Sequence, residues 1–301
     1  MIETMVRTPE GARPDDLEFL RFPGGEWFLR TGPSFDPEAE RFAVVRGGFP
    51  DDLLALGMWA DVVRRHGKPA RVLMPYIPAA RTDHDVPCGA AVYAAVIGAF
   101  ADEVIYADIH SPLAKSTLRG PTLTEIPLGR LASSALPRDY DLVVAPDAGA
   151  GERAAIVAEA LGVEAFGVEA FGVEAFGAEA FGAIPVAHGR KRRDPATGRL
   201  DGFELSTPVT GLRVLVVDDI CDGGGTFAGL AAAGSFDTAE RVDLWVTHGV
   251  FSGGERLAAN LAPYSSVYST DSHPGARATA LAPDRLHLID LVDHVLSEGI
   301  L

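Results

Sequence analysis

Only two cysteines, Cys88 and Cys221, occur in 301 residues. They are too few for a disulfide framework or a zinc cluster, and they read as two small buried side chains in a reducing compartment. Basic residues are also scarce. Against 42 Asp and Glu stand 26 Lys and Arg, a net charge of −16, and that field repels polynucleotides and anionic membranes. No uninterrupted apolar run is long enough to cross a bilayer, and the opening residues MIETMVRTPEGARPDD lack a basic-then-apolar leader pattern. The expected setting is therefore the cytoplasm. What remains is 47% apolar and 23% charged, a globular composition with length for two domains of about 150 residues or one large α/β domain.

Short β-branched runs alternate with helical stretches. The runs are Phe42–Val45, Arg71–Met74, Val104–Ala107, Leu142–Ala145, Val214–Val217, Val242–Thr247 and Leu286–Ile289. Most are apolar on both faces, as central parallel strands covered by helices must be. Leu53, Leu56, Ala60 and Val63 fall at helical spacing, with Asp51 or Asp52 available as a cap. Segments 86–100, 151–161, 226–233 and 253–262 read as further helices. The fold class is thus α/β. A break near 135–140 divides the chain into expected domains 1–138 and 139–301. Within the second, residues 163–182 repeat VEAFG three times and AEAFG once. That five-residue period suits neither helix nor strand, and four such units are too short for a solenoid. We read them as a tandem expansion within the connection from the 151–161 helix to a strand at 184–187.

Ligands of such sheets sit beyond the carboxyl ends of the strands. Here those positions are polar: PYIPAARTDHD, DIHSP, PDAGAGER, DDICDGGGT and HG follow five successive runs. In the fourth loop a buried strand delivers Asp218 and Asp219, which can accept hydrogen bonds from vicinal hydroxyls or hold a divalent ion. Asp222, Gly223, Gly224, Gly225 and Thr226 then turn into a helix. Glycines let backbone amides approach a phosphate, the helix start adds positive partial charge, and Thr226 can cap or donate. A solvent-exposed turn would use the same glycines, but the preceding strand and acidic pair favour a ribose and its phosphate. In this acidic chain the run Arg190-Lys191-Arg192-Arg193, followed by the turn residues 194–198, reads as a mobile loop that carries positive charge to an anion.

VLVVDDICDGGGT resembles the signature of the type I phosphoribosyltransferase fold. Further motifs, in order, resemble the ribose-phosphate diphosphokinases. They are Phe22-Pro23-Gly24-Gly25-Glu26, Arg46-Gly47, the segment Pro75 to Asp83, Asp108-Ile109-His110-Ser111-Pro112, Pro146-Asp147-Ala148-Gly149 with Arg153, Lys191 to Arg193, and Thr247-His248-Gly249-Val250-Phe251-Ser252-Gly253. The resemblance spans roughly residues 19 to 295. It implies two tandem phosphoribosyltransferase-like domains, each a mostly parallel sheet flanked by helices, and transfer of diphosphate from ATP to ribose 5-phosphate. It also implies roles. Phe22, Glu26, Arg81 and Asp83 hold ATP; His110 and Asp147 bind Mg²⁺; Lys191 and Arg193 steady the transferred group; Asp218, Asp219 and the 222–226 loop hold the sugar phosphate. A homodimer or larger homo-oligomer is expected, with Phe22 and Glu26 serving a neighbour's ATP site.

Several departures touch substrate contacts. Gly24 replaces the usual Asp, Thr82 and His84 replace Gln and Arg, Ser111 replaces Ala, and Gly223 stands where Thr is usual. A looser phosphate loop would admit a larger ribose acceptor such as ADP-ribose, a use found among phage-associated relatives of the family. A phosphoribosyltransferase, or a non-catalytic regulatory relative, would share part of this pattern. Neither accounts for the Arg81, His110 and Lys191 elements together with an intact phosphate loop.

Overall fold

The computed structural model describes residues 2–84, 86–162, 186–193, 200–205, 207–234 and 236–301; at residues 188, 190–193 and 200–204 it describes the backbone alone. The VEAFG segment at 163–182 and the turn at 194–198 lie outside the described residues. By their contacts the described residues divide into two units, Met1–Ile126 with Asp290–Leu301, and Pro127–Ile289.

The first unit opens with four strands, β1 (Glu3–Thr8), β2 (Gly11–Pro14), β3 (Leu17–Arg21) and β4 (Trp27–Thr31). There follow β5 (Arg41–Val44), α1 (Pro50–Arg65), β6 (Arg71–Leu73), α2 (Gly89–Phe100), β7 (Glu103–Ala107), α3 (Pro112–Thr117) and β8 (Thr122–Ile126). Its sheet runs β2-β1-β5-β6-β7-β8, parallel from β5 onward, and β3 and β4 form a separate hairpin. Helix α1 forms where the spacing predicts it, but neither Asp51 nor Asp52 is its cap. Phe49 is the N-cap residue and makes no side-chain cap, while Pro50, with its preset φ, begins the helix. The two aspartates sit in the first turn and Arg64 and Arg65 in the last, each favourable to the helix dipole. Leu56, Trp59, Ala60 and Val63 pack in one core with Val72, Met74 and Val104. Each large apolar side chain so buried contributes about 1.5–3 kcal/mol.

The second unit contains α4 (Leu128–Ser133), β9 (Leu142–Ala145), α5 (Gly151–Leu161), β10 (Val186–Arg193), β11 (Leu200–Leu205) and β12 (Arg213–Cys221). It continues through α6 (Gly225–Ala233), β13 (Arg241–Gly249), α7 (Glu255–Asn260), β14 (Val267–Thr270), α8 (Pro274–Arg277) and β15 (Leu286–Ile289); α9 (Leu291–Ser297) returns to the first unit. The sheet order is β11-β10-β9-β12-β13-β14-β15, parallel except for β11. After β9 the chain adds β10 on one side, then crosses to β12 on the other. That reversal is the topological switch point at which open α/β sheets form a ligand crevice. Val144, Val214, Val216, Phe227, Leu230, Val246 and Tyr264 share the core beneath it.

Lys191 and Arg193 depart from the expectation of a mobile loop. They lie on β10, which pairs antiparallel with β11 in the register Lys191↔Phe203 and Arg193↔Leu200. Ladder hydrogen bonds come from the backbone, so a charge-rich run can be a strand wherever a partner strand is supplied. Among the described residues no helix is long and apolar enough to cross a membrane.

Candidate active site

The loops that leave β9 and β12 meet at the switch point. Asp147 follows β9, and its Oδ1 accepts hydrogen bonds from the Gly149 and Ala150 amides at 3.0 and 3.3 Å. This turns the chain into α5 and brings Arg153 into that helix's first turn. Arg153 Nη1 donates to the Gly149 carbonyl at 2.9 Å. The same guanidinium lies 3.8 Å from Asp218 Oδ1 and 3.4 Å from Asp219 Oδ2. All three side chains are largely buried, at 10%, 15% and 5% exposure. Burial and the neighbouring Asp219 charge push the Asp218 carboxyl well above its usual range, and Arg153 opposes them. The acidic pair is thus held ready beside one cation, with Asp218 Oδ1 also accepting from the Asp219 amide at 2.9 Å.

Beyond Cys221 the chain passes through Asp222 and Gly223 to Gly224, whose φ of 75° is the left-handed conformation that favours glycine. Helix α6 starts at Gly225 with Gly224 as N-cap residue and no side-chain cap. Thr226 therefore does not cap the helix, and the first-turn amides are left for a ligand. Gly223 and Gly225 have no backbone need to be glycine. Their φ values lie outside the left-handed region, and a Cβ at either would meet nothing within 4 Å. Their missing side chains leave open space over the helix start. From below, the loop is tied to its neighbours. Ser252 donates to Asp222 Oδ1, the Phe251 amide donates to the Cys221 carbonyl at 3.0 Å, and Asn260 Nδ2 donates to the Gly223 carbonyl at 2.7 Å.

Strand β10 reaches this loop cluster at Gly189. A Cβ there would lie 2.7 Å from the Pro146 carbonyl oxygen, so only glycine permits so close an approach. Lys191 and Arg193 follow two and four residues along the same strand.

In the first unit, Phe22 and Glu26 close the β3–β4 hairpin, paired by a 2.8 Å bond from the Phe22 amide to the Glu26 carbonyl. Phe22 stacks on Phe28 at 5.3 Å and remains 54% exposed, an aromatic face open to a flat partner. Arg81 is the exposed residue of a single turn, Ala80–Thr82, entered through Ala79 at φ 58°. Asp108, which follows β7, also has a positive φ, 33°. Non-glycine residues so placed store about 1–3 kcal/mol each, and such strain gathers at functional loops. His110 is exposed two residues on. Asp83 is not. Its side chain is 2% exposed and accepts from Ser111 Oγ, and that bond, before all other influences, holds its carboxyl below the usual range. Ser111 also accepts from the Ala114 amide at 3.0 Å as the N-cap of α3. One hydroxyl thus joins the 75–83 loop to the 108–112 loop.

The motifs contain Ser111, Arg153 and Ser252 without giving them work, and Asn260 carries no sequence signal at all. Ser111 before Pro112 is a legible helix start. Arg153 and Asn260 act on residues distant in sequence, which spacing does not reveal.

No family model matches the chain. Individual proteins do. A ribose-phosphate pyrophosphokinase of Thermococcus kodakarensis is 28% identical over 252 residues, 81% of either chain. Another of Rhizobium meliloti is 30% identical over 266 residues, 84% of this chain and 77% of that one. The crystal structure of phosphoribosylpyrophosphate synthetase from Mycobacterium smegmatis superposes with a TM-score of 0.71 over 95% of this chain and 89% of the other, at 22% identity, a likeness of fold. A doubly wound sheet with an acidic pair and an open glycine turn at its switch point, together with these extended identities, means that the chain belongs to the ribose-phosphate pyrophosphokinase family.

Proposed function

We propose that this protein transfers diphosphate from MgATP to the anomeric hydroxyl of ribose 5-phosphate, releasing AMP and phosphoribosyl pyrophosphate. The observation that carries the proposal is the second unit's switch point. Asp218 and Asp219 stand there beside Arg153, next to the open helix start at Gly223–Thr226. Carboxylates at that spot accept from the ribose hydroxyls, while the Gly225 and Thr226 amides and the Thr226 hydroxyl receive the 5-phosphate.

Arg81 has the planar fork suited to phosphate oxygens, and Phe22 the exposed ring suited to adenine. Lys191 and Arg193 supply positive charge as it is needed on the transferred oxygens. The anomeric oxygen bonds to the β-phosphorus as the bridge to the α-phosphorus breaks, and the hydroxyl proton passes to water.

Among the described residues no three His, Cys, Asp or Glu cluster as a metal cage. Mg²⁺ needs none when phosphates and water fill its shell; the exposed His110 in the first unit and the half-buried Asp147 in the second are each a donor that such a phosphate-bound ion could use. The ion would neutralise phosphate charge.

The open space at Gly223 favours one second reading, a larger ribose acceptor such as ADP-ribose taking the diphosphate in the same way. The test is AMP release from MgATP with ribose 5-phosphate or with ADP-ribose. AMP with ribose 5-phosphate supports the first reading and AMP with ADP-ribose alone the second. No AMP with either overturns both. Gly223→Thr refines the choice, since it fills the open space and adds a donor; it should spare ribose 5-phosphate and penalise the bulkier acceptor.

A further inference from the structure

Three consecutive glycines make the least constrained backbone a chain can have, and a phosphate cradle requires its amides to be held in fixed directions. The peptide between Gly223 and Gly224 is held at its carbonyl end. Its carbonyl accepts from Asn260 Nδ2 at 2.7 Å. A trans peptide is planar, with C=O and N–H pointing in opposite directions, so fixing one fixes the other. Asn260 is the last residue of α7, and its Cβ lies against the site a Gly224 side chain would fill, 3.1 Å away. The contact is therefore made by a packed helix end, not by a swinging surface group.

We propose that Asn260 is a positioning residue for the acceptor's phosphate. It locks the Gly223–Gly224 peptide, which sets the direction in which Gly225 and Thr226 enter α6. This rests on the function proposed above and deepens it. Asn260 does not touch the phosphate itself. It removes the freedom that the glycines would otherwise leave in the loop, so that little ordering remains to be done when the acceptor binds.

Asn260→Leu keeps the bulk of the side chain and removes the amide; Asn260→Ala serves as a second variant. In full-length protein, either should raise the KM for ribose 5-phosphate about fivefold, the value of one hydrogen bond, with the KM for ATP unchanged. Amide hydrogen exchange at 222–226 should quicken by a similar factor, and inorganic phosphate should slow it less than in the wild type. Equal rises in both KM values, or an unchanged KM for ribose 5-phosphate, would overturn the proposal. Should the wild type release no AMP, the functional reading fails separately, and the exchange experiment with inorganic phosphate still decides the clamp. Unchanged exchange in both variants would overturn it.

Discussion

Arg153→Met should destabilise the protein in a pH-dependent way. The guanidinium lies 3.4 Å from Asp219 and 3.8 Å from Asp218 with all three groups largely buried. At that separation and an effective dielectric of about 20, a unit charge pair attracts by about 5 kcal/mol. Removing one member of a buried pair leads to a net loss of about 3–5 kcal/mol. The sign with pH follows from Asp218, whose folded pKa is raised above its unfolded value near 4 by burial and by Asp219. In that window the folded state binds more protons than the unfolded state, so stability falls as pH rises. Loss of Arg153 removes an influence that opposes the upward shift, and the window extends to higher pH. The deficit of the variant should thus approach about 3–5 kcal/mol at pH 8. At pH 5 it should be smaller by the part that a charged Asp218 contributes, while the pair with Asp219 and the bond to the Gly149 carbonyl are still lost. Urea denaturation of wild type and variant at the two pH values measures both. Adding Asp218→Asn should recover most of the pH-dependent part, because it removes the charge that Arg153 balances. An equal deficit at both pH values, or less than about 1 kcal/mol at pH 8, would refute the reasoning.

Lys191→Ala should lower turnover by about 100-fold or more while ATP binding, followed by titration calorimetry, stays close to wild type; equal loss of both would contradict a role in stabilising the transferred group. Ser111→Ala removes both the α3 cap and the bond to Asp83, for a loss of about 1–2 kcal/mol at neutral pH. Asp83 has a depressed folded pKa, so its share of that stability is present above the unfolded value and is lost as pH falls through the folded one. Acid titration of the two proteins should therefore show curves that converge at low pH to the capping difference alone. Gly275→Ala places a Cβ 1.8 Å from the Val250 carbonyl oxygen. A lowered melting temperature, corresponding to about 1–3 kcal/mol, is expected, and an unchanged one would show that α8 shifts freely.

Local patterns were enough for the central strands. Leu142–Ala145 and Val214–Val217 are apolar on both faces, and each lies within a strand of the sheet. Peripheral strands were harder to read. β1 to β4 alternate weakly and carry many charges, and β11 exists because β10 lies beside it. The same holds for Lys191, where a run of four cations looks like a loop until a partner strand takes up its backbone.

By itself the sequence determined the chemistry available at each strand end. It put an acidic pair before a glycine turn, a histidine after β7, an arginine in a Pro-rich loop and an aspartate after β9, since those depend only on residue type and on the residues close by. Tertiary structure decided how those groups are held. The crossing from β10 to β12 opens the crevice, Arg153 reaches across it to balance Asp218 and Asp219, Ser111 joins two loops 28 residues apart, and Asn260 fixes a peptide 37 residues away. Each of these is a contact at long sequence separation, and no periodicity or spacing in the chain encodes which distant side chain will complete a hydrogen bond.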